Sequence, residues 1–129
     1  MSIFDHTGIP AGDFGKSAAF YDAALWPLGI RRAVAFEFPA GQVIGYGVER
    51  AEFWLNSGEA LRDHIHLAFA AKSRAQVDAF YAAAIAAGGR DNGGPGIRPH
   101  YHSSYYAAFV LDPDGHNIEA VCHLPDTSA

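Results

Sequence analysis

The chain has 129 residues, half of them apolar and 18% charged, with a formal net charge of −5. This length predicts one domain, residues 1–129, that is large enough for a hydrophobic core. The acidic balance argues against nucleic acid or an anionic membrane as the main partner, and the sequence shows no pattern of a secretory leader or a membrane span. Cys122 is the only cysteine, which excludes an intrachain disulfide and fits the cytoplasmic location that we expect.

The first half predicts a strand, a helix and three further strands. Apolar residues near helical spacing and the capping type of Asp13 indicate the helix, and Pro27 and Gly29 end it. The predicted elements are a strand over 2–9, a helix from Asp13 to about Trp26, and strands over 31–38, 42–48 and 51–56.

The second half predicts the same order again. A strand over 63–70 precedes a helix capped by Ser73 that runs through Ala87. A loop rich in glycine and proline follows over 93–102. The chain closes with a hairpin whose strands, 105–111 and 116–122, are joined by the turn Asp112–Gly115.

Several positions of the two halves match at a fixed offset, which indicates a duplicated unit. With an offset of 60 the matched pairs include His6 and His66, Phe20 and Phe80, Tyr21 and Tyr81, and Gly29 and Gly89. With an offset of 67 the last strands align, and Glu52 matches Glu119. We therefore predict two modules, about 1–58 and 59–129.

Glu119 stands in the middle of a strand that is otherwise suited to burial. A buried carboxylate needs a hydrogen-bond partner, an opposite charge or a metal. Each half offers a histidine on its first strand and a glutamate on its last. Two histidines and one or two carboxylates are a natural ligand set for a divalent first-row metal, and the remaining coordination positions leave room for water and substrate.

The whole pattern resembles the vicinal-oxygen-chelate superfamily, which holds glyoxalase I, fosfomycin- and bleomycin-resistance proteins and extradiol dioxygenases. The turn sequence DPDG with a glutamate four residues after its glycine is the most specific part. The segments that carry the resemblance are 5–9, 17–21 with Leu28-Gly29, 66–69 and 109–119.

The resemblance implies an α+β fold of two βαβββ modules that form a half-open curled barrel. It also implies a divalent metal (zinc, iron, manganese or nickel) held by His6, His66 and Glu119. Glu52 falls where glyoxalase I has a fourth ligand, and the alternative is an exposed charge beside a turn. Glu119 or Glu52 would move a proton during catalysis. Relatives of this size are commonly dimers, so a homodimer is expected.

Four more residues are candidates for the substrate pocket: Trp54, His64, Tyr106 and His102. His64 competes with His66 for the ligand role, because both share a strand face. Tyr105 and Tyr106 lie on opposite faces of one strand, so we expect only one of them to face the pocket. In the loop before them, Arg98 is either an anchor for an anion or a solvated charge.

Two functions remain open at this point. The first is a metal-dependent enzyme that chelates neighbouring oxygens of a small substrate and stabilises an enolate or oxyanion, as in lyases, isomerases and transferases. The alternative is a metal-free protein that sequesters a small molecule or drug, as in the bleomycin-resistance branch. A third, weaker hypothesis is an accessory fold with a vestigial site.

Overall fold

The computed structural model describes residues 3–125, which form two helices and two mixed sheets. The helices are α1 (Phe14–Leu25) and α2 (Arg74–Ala86), and the strands are β1 (Thr7–Ala11), β2 (Arg31–Phe38), β3 (Gly41–Gly47), β4 (Phe53–Ser57), β5 (His66–Ala70), β6 (Arg90–Asp91), β7 (Gly96–Ile97), β8 (Tyr106–Leu111) and β9 (Asn117–Cys122). This is the expected α+β arrangement of two βαβββ modules, except that two short strands, β6 and β7, replace one strand in the second module. Neither described helix is long and apolar enough to cross a membrane.

Both helices begin at the predicted caps. The side chain of Asp13 accepts a hydrogen bond from the backbone N–H of Lys16, and that of Ser73 accepts one from Gln76, each at 3.1 Å. These bonds satisfy N–H groups that have no partner within the helix. A short 3-10 helix, Trp26–Leu28, follows α1 and ends at Gly29, whose φ of 79° favours glycine.

Each sheet places the first strand of its module beside the last strand, in parallel. The first sheet has the order β1-β4-β3-β2, and the second has β5-β9-β8, with β6 and β7 both paired to β8. Because the ladder between β1 and β4 starts at Thr7 and Phe53, the predicted strand 2–9 is shifted and lies at Thr7–Ala11. Ser2, its predicted start, lies outside the described residues. In the second sheet β5 likewise begins at His66, where its ladder with Asn117 starts.

The two modules share one hydrophobic core. The helices pack against each other, and the faces of the two sheets nearest the helices, here called the inner faces, turn towards them. Phe53 on β4 meets Phe69 on β5 edge to face, with ring centroids 5.4 Å apart. Within residues 3–125, no helix packs on the opposite faces, here called the outer faces. Strand alternation therefore divides the residues of each module between core and outer face.

The turn after β8 is tied to the other module. The buried hydroxyl of Tyr21, on α1, donates to Oδ2 of Asp112 at 2.5 Å. The other oxygen of Asp112 accepts from the backbone N–H groups of Asp114 and His116. One buried carboxylate thus organises its own turn and joins it to the first module.

Candidate functional site

The outer faces carry most of the residues predicted for the site. On β4, Phe53 and Leu55 are buried in the core, so Trp54 points to the outer face, as does Glu52 just before the strand. On β9, Ile118 and Ala120 belong to the core, so Glu119 points to the outer face. Its parallel neighbour on β5 is Ala68, which puts His66 on that face as well.

Glu119 is the buried carboxylate around which this region is built. It is 1% exposed, although it lies on the outer face. One of its oxygens, Oε1, lies 2.7 Å from Nε2 of His66, and the other, Oε2, accepts a hydrogen bond from the hydroxyl of Tyr105. Among residues 3–125, no lysine or arginine forms an ion pair with Glu119. Its partners are thus an imidazole and a phenol, with no permanent cation beside it.

Tyr105 covers Glu119 at the end of the hairpin. Burial and the hydrogen bond to Glu119 raise the pKa of the Tyr105 hydroxyl well above its ordinary value, so this phenol stays protonated and acts as a donor. Phe109, on the same face of β8, lies directly across from Glu119 in the ladder. Its ring centroid is 6.2 Å from that of His66. His66, Phe109, Glu119 and Tyr105 therefore form one continuous patch.

His6 and Glu52 share a cavity with His66. This cavity has a volume of about 540 Å³ and lies where β1 and β5, the edge strands of the two sheets, come together. Glu52 is exposed there. Nδ1 of His6 lies 2.6 Å from Asp5, and Arg50 lies 3.5 Å from the same carboxylate. The bond to His6, with the charge of Arg50, lowers the pKa of Asp5.

Although His6 and His66 line one cavity, the three predicted ligands His6, His66 and Glu119 do not converge within one chain. In the described part of the chain, no three His, Cys, Asp or Glu side chains lie close enough together to hold a metal ion. His66 and Glu119 are brought together, and His6 is turned to Asp5. The imidazole nitrogen of His66 and the carboxylate of Glu119 are both metal-ligand types, and together they would supply two of the ligands of a metal site.

Glu52 also borders a second, largely apolar cavity of about 440 Å³. The residues that line it come from both modules and include Leu28, Ile30, Tyr46, Val48, Phe53 and Phe69. Ala68 belongs to both cavities. A space lined mainly by apolar side chains therefore adjoins the cavity that holds His6, Glu52 and His66, as is common in small-molecule sites.

Of the four pocket residues predicted from the sequence, three lie away from Glu119, and one of these, Trp54, is on β4 of the first sheet. The ring of His64 packs edge to face against His116, beside the hairpin turn, so His66 is the histidine at Glu119. Tyr106 points to the inner side, where its hydroxyl donates to Asp78 of α2 at 2.6 Å. The tyrosine on the outer face is Tyr105.

His102 does lie near the patch, but it contacts Tyr105 rather than Glu119. Its Nδ1 accepts from the backbone N–H of Ser104, so its Nε2 carries the hydrogen and donates to Nδ1 of His123 at 2.8 Å. Both imidazole rings pack against Tyr105. The pair supports the tyrosine that covers Glu119.

Sequence reasoning left Tyr105 as an alternative and missed His123, although the hairpin register contains both. The turn pairs Leu111 with Asn117 and Phe109 with Glu119. Counting back along β8 by twos leads to Tyr105, and counting forward along β9 leads to His123. Both therefore lie on the face of Glu119.

Comparison with known proteins connects this arrangement with one superfamily. The family profile described as Glyoxalase/Bleomycin resistance protein/Dioxygenase superfamily matches residues 3–120. The crystal structure of a glyoxalase/bleomycin resistance protein from Albidiferax ferrireducens superposes with a TM-score of 0.75 and 33% identity, over 94% of this chain and 98% of that one. None of the curated proteins compared with the chain matches it.

Two more distant structures share the fold. A glyoxylase/bleomycin resistance protein/dioxygenase domain from Frankia sp. EAN1pec gives a TM-score of 0.71 at 15% identity, over all of this chain and 96% of that one. A variant of glyoxalase I from Zea mays gives 0.69 at 20% identity, over 92% of this chain but only 46% of that one. At these identities the likeness concerns the fold alone.

Proposed function

The chain belongs to the glyoxalase/bleomycin resistance protein/dioxygenase superfamily, and from that membership we propose that it is a metal-dependent enzyme acting on a small molecule. Its substrate would present two neighbouring oxygens to the site. When bound, a divalent metal would supply Lewis-acid polarisation of those oxygens, which favours an enolate or oxyanion. The reaction class that fits is that of lyases, isomerases and transferases.

The observation that carries this proposal is the environment of Glu119. A carboxylate that is 1% exposed, on a sheet face without helices, has an imidazole nitrogen 2.7 Å from one oxygen. A structural role in the core would place it on the inner face with the apolar side chains. An anionic oxygen beside an imidazole suits zinc, iron, manganese or nickel.

We propose that a second copy of the chain completes the site. His66 and Glu119 lie on the outer face of the second sheet, and His6 with Glu52 lies at the outer edge of the first. The outer face of the first sheet is apolar and uncovered, since Phe36 and Phe38 on β2 are 50% and 56% exposed. A homodimer that sets this face against the second sheet of its partner would bury these rings and bring the two half-sites together.

Within such a site the two glutamates would have different roles. Glu119 is buried and already engaged, which suits a fixed ligand. Glu52 is exposed in the cavity of about 540 Å³ and forms no ion pair with a lysine, arginine or histidine of residues 3–125, which suits a group that gives and takes a proton. Glu52 is therefore the proposed general base. The cytoplasmic location of the protein stays a prediction.

The second candidate function is a metal-free binding protein for a small apolar molecule. The apolar cavity of about 440 Å³ between the modules favours it, because that space can enclose an aromatic or drug-like ligand without any metal. Glu119 and His66 would then act only as hydrogen-bonding groups at its edge.

Metal content distinguishes the two functions. Plasma mass spectrometry of tag-free protein, reconstituted with each ion in turn, should give about one equivalent per chain, and Glu119→Ala and His66→Ala should each lose it. His64→Ala is the matched control, since His64 packs against His116 and should leave the metal in place. No bound metal under any condition would overturn the enzyme proposal and leave the binding protein.

A further inference from the structure

The loop between β6 and β8 is built around the guanidinium group of Arg98. Nη1 donates to the carbonyl of Gly96 at 2.8 Å, and Nη2 donates to that of Gly94 at 2.9 Å. The Cζ atom lies 5.2 Å from the ring centroid of Phe109. Hydrogen bonds to two carbonyls and stacking on a ring hold the group in one orientation.

Glycines make this arrangement possible. A Cβ atom at Gly93 would lie 3.1 Å from Nη2 of Arg98 and 3.2 Å from the ring of Phe109, and one at Gly96 would lie 3.2 Å from Nη1. Gly93 also has a φ of 137°, which side chains disfavour. The glycines of the loop thus leave room for a fixed cation.

The charge of Arg98 is not matched by a carboxylate. Arg32 pairs with Asp22, and Arg50 lies near Asp5, but within residues 3–125 no acidic side chain forms an ion pair with Arg98. The side chain is half-buried. A guanidinium has five N–H donors, and two of them bond to partners among the described residues. Within that part of the chain, three donors of a fixed, partly desolvated cation are left for an anion.

Arg98 lies beside the proposed site. Phe109, over which it stacks, is the residue opposite Glu119 and contacts the ring of His66. The backbone N–H of Arg98 donates to the carbonyl of Tyr105 at 2.7 Å. The ring of Phe109 therefore separates Arg98 from His66, so a ligand of about one ring's length can contact both residues.

We propose that Arg98 anchors an anionic group of the substrate, so that the substrates are small organic oxyanions. The inference rests on the proposed function for the other end of the substrate, where two neighbouring oxygens would lie at His66 and Glu119. A carboxylate can receive two parallel N–H bonds from one guanidinium, and a phosphonate offers the same oxyanion chemistry. Phe109 would then lie under the segment that joins the two ends.

The test uses metal-free protein, so that it is independent of the metal site. Backbone amide shifts would be followed by NMR while benzoate, phenylphosphonate or neutral benzamide is added. Benzoate or phenylphosphonate should shift the signals of residues 93–109 and bind at least tenfold more tightly than benzamide. The tighter of the two anions identifies the oxyanion class. Equal affinity for benzoate, phenylphosphonate and benzamide would overturn the inference, whatever the metal experiment gives.

Variants separate binding from loop structure. Arg98→Gln removes the charge but keeps an N–H₂ group for the loop carbonyls, and it should abolish the preference for anions over benzamide. Arg98→Lys keeps the charge and should retain a reduced preference. Arg90→Gln, at an exposed position on β6, is the matched control and should bind as the parent does. If Arg98→Gln fails to fold, the preference for anions over benzamide is compared between Arg98→Lys and Arg90→Gln. An Arg98→Lys variant that prefers anions as strongly as Arg90→Gln does would contradict a bidentate anchor.

Discussion

The hydroxyl of Tyr105 donates a hydrogen bond to Oε2 of Glu119, while His66 lies at the other oxygen of that carboxylate. The phenol therefore fixes the plane of the group that is proposed to hold a metal. Groups that orient a metal ligand commonly contribute a factor of 10 to 100 in affinity. Removal of this hydrogen bond is thus expected to lower the metal affinity measurably.

Tyr105→Phe should weaken metal affinity about 10- to 100-fold, because Glu119 loses its orienting donor. A competition titration against a coloured chelator measures the effect. Tyr106→Phe is the matched control, since that hydroxyl bonds Asp78 on the inner side, and it should change the affinity less than about twofold. Equal losses in both variants would show that the effect is one of folding.

Tyr21→Phe should destabilise the fold by about 1–3 kcal/mol, the usual cost of leaving a buried polar group without its partner. The lost bond joins α1 to the carboxylate of Asp112, which keeps only its backbone donors. Urea unfolding followed by fluorescence gives the free energy. Tyr101→Phe, at a residue 59% exposed, should stay within about 0.5 kcal/mol of the parent.

Stability should fall as the pH rises above about 10, the ordinary pKa of tyrosine. In the folded state, burial raises the pKa of Tyr21 and of Tyr46. The negative charge of Asp112 raises the pKa of Tyr21 further, and that of Asp22 does the same for Tyr46. At a pH between the unfolded and folded pKa values, these tyrosines lose their protons in the unfolded chain but keep them in the native state. Their contribution to the free energy of unfolding is therefore complete below about pH 10 and is lost as the pH rises above it. Absorbance at 295 nm during an alkaline titration, compared with urea midpoints at each pH, checks this. A flat stability profile from pH 8 to 11 would be inconsistent with it.

The parent should run as a dimer, with twice the 13.8 kDa of one chain, and Phe36→Asp should shift it towards the monomer. The stacked rings of Phe36 and Phe38 lie on the outer face of the first sheet, and a charge there opposes burial against a partner. Light scattering after size exclusion gives the mass. Ile85→Asp, on the exposed side of α2, is the control and should remain dimeric. A monomeric parent would rule out the shared site.

The sequence predicted the helices and the order of strands well, because local signals define them. Asp13 and Ser73 cap their helices through their own side chains, and the repeat sets the order of elements. The start of β1 was predicted too early because it depends on where β4 offers a parallel partner, which is a contact between distant residues. The short strands β6 and β7 lie in a glycine-rich segment whose composition indicates a loop.

The site was predictable only in part for the same reason. His66 and Glu119 share a face through the pairing of β5 with β9, and the family resemblance supplied both residues. The choice between Tyr105 and Tyr106 required the register of the hairpin, which sequence periodicity alone leaves open. The bond of His6 to Asp5 and the unpaired charge of Arg98 depend on loop conformations that no periodic pattern encodes.

The common core has a consequence for how the duplicated chain folds. Since the inner faces of both sheets pack on the same helices, and Tyr21 reaches across 91 residues to Asp112, neither half buries its apolar side chains alone. Half-length fragments of this size have little core of their own. The two repeats should therefore unfold in a single cooperative transition, so that a destabilising substitution in one repeat lowers the melting temperature of both.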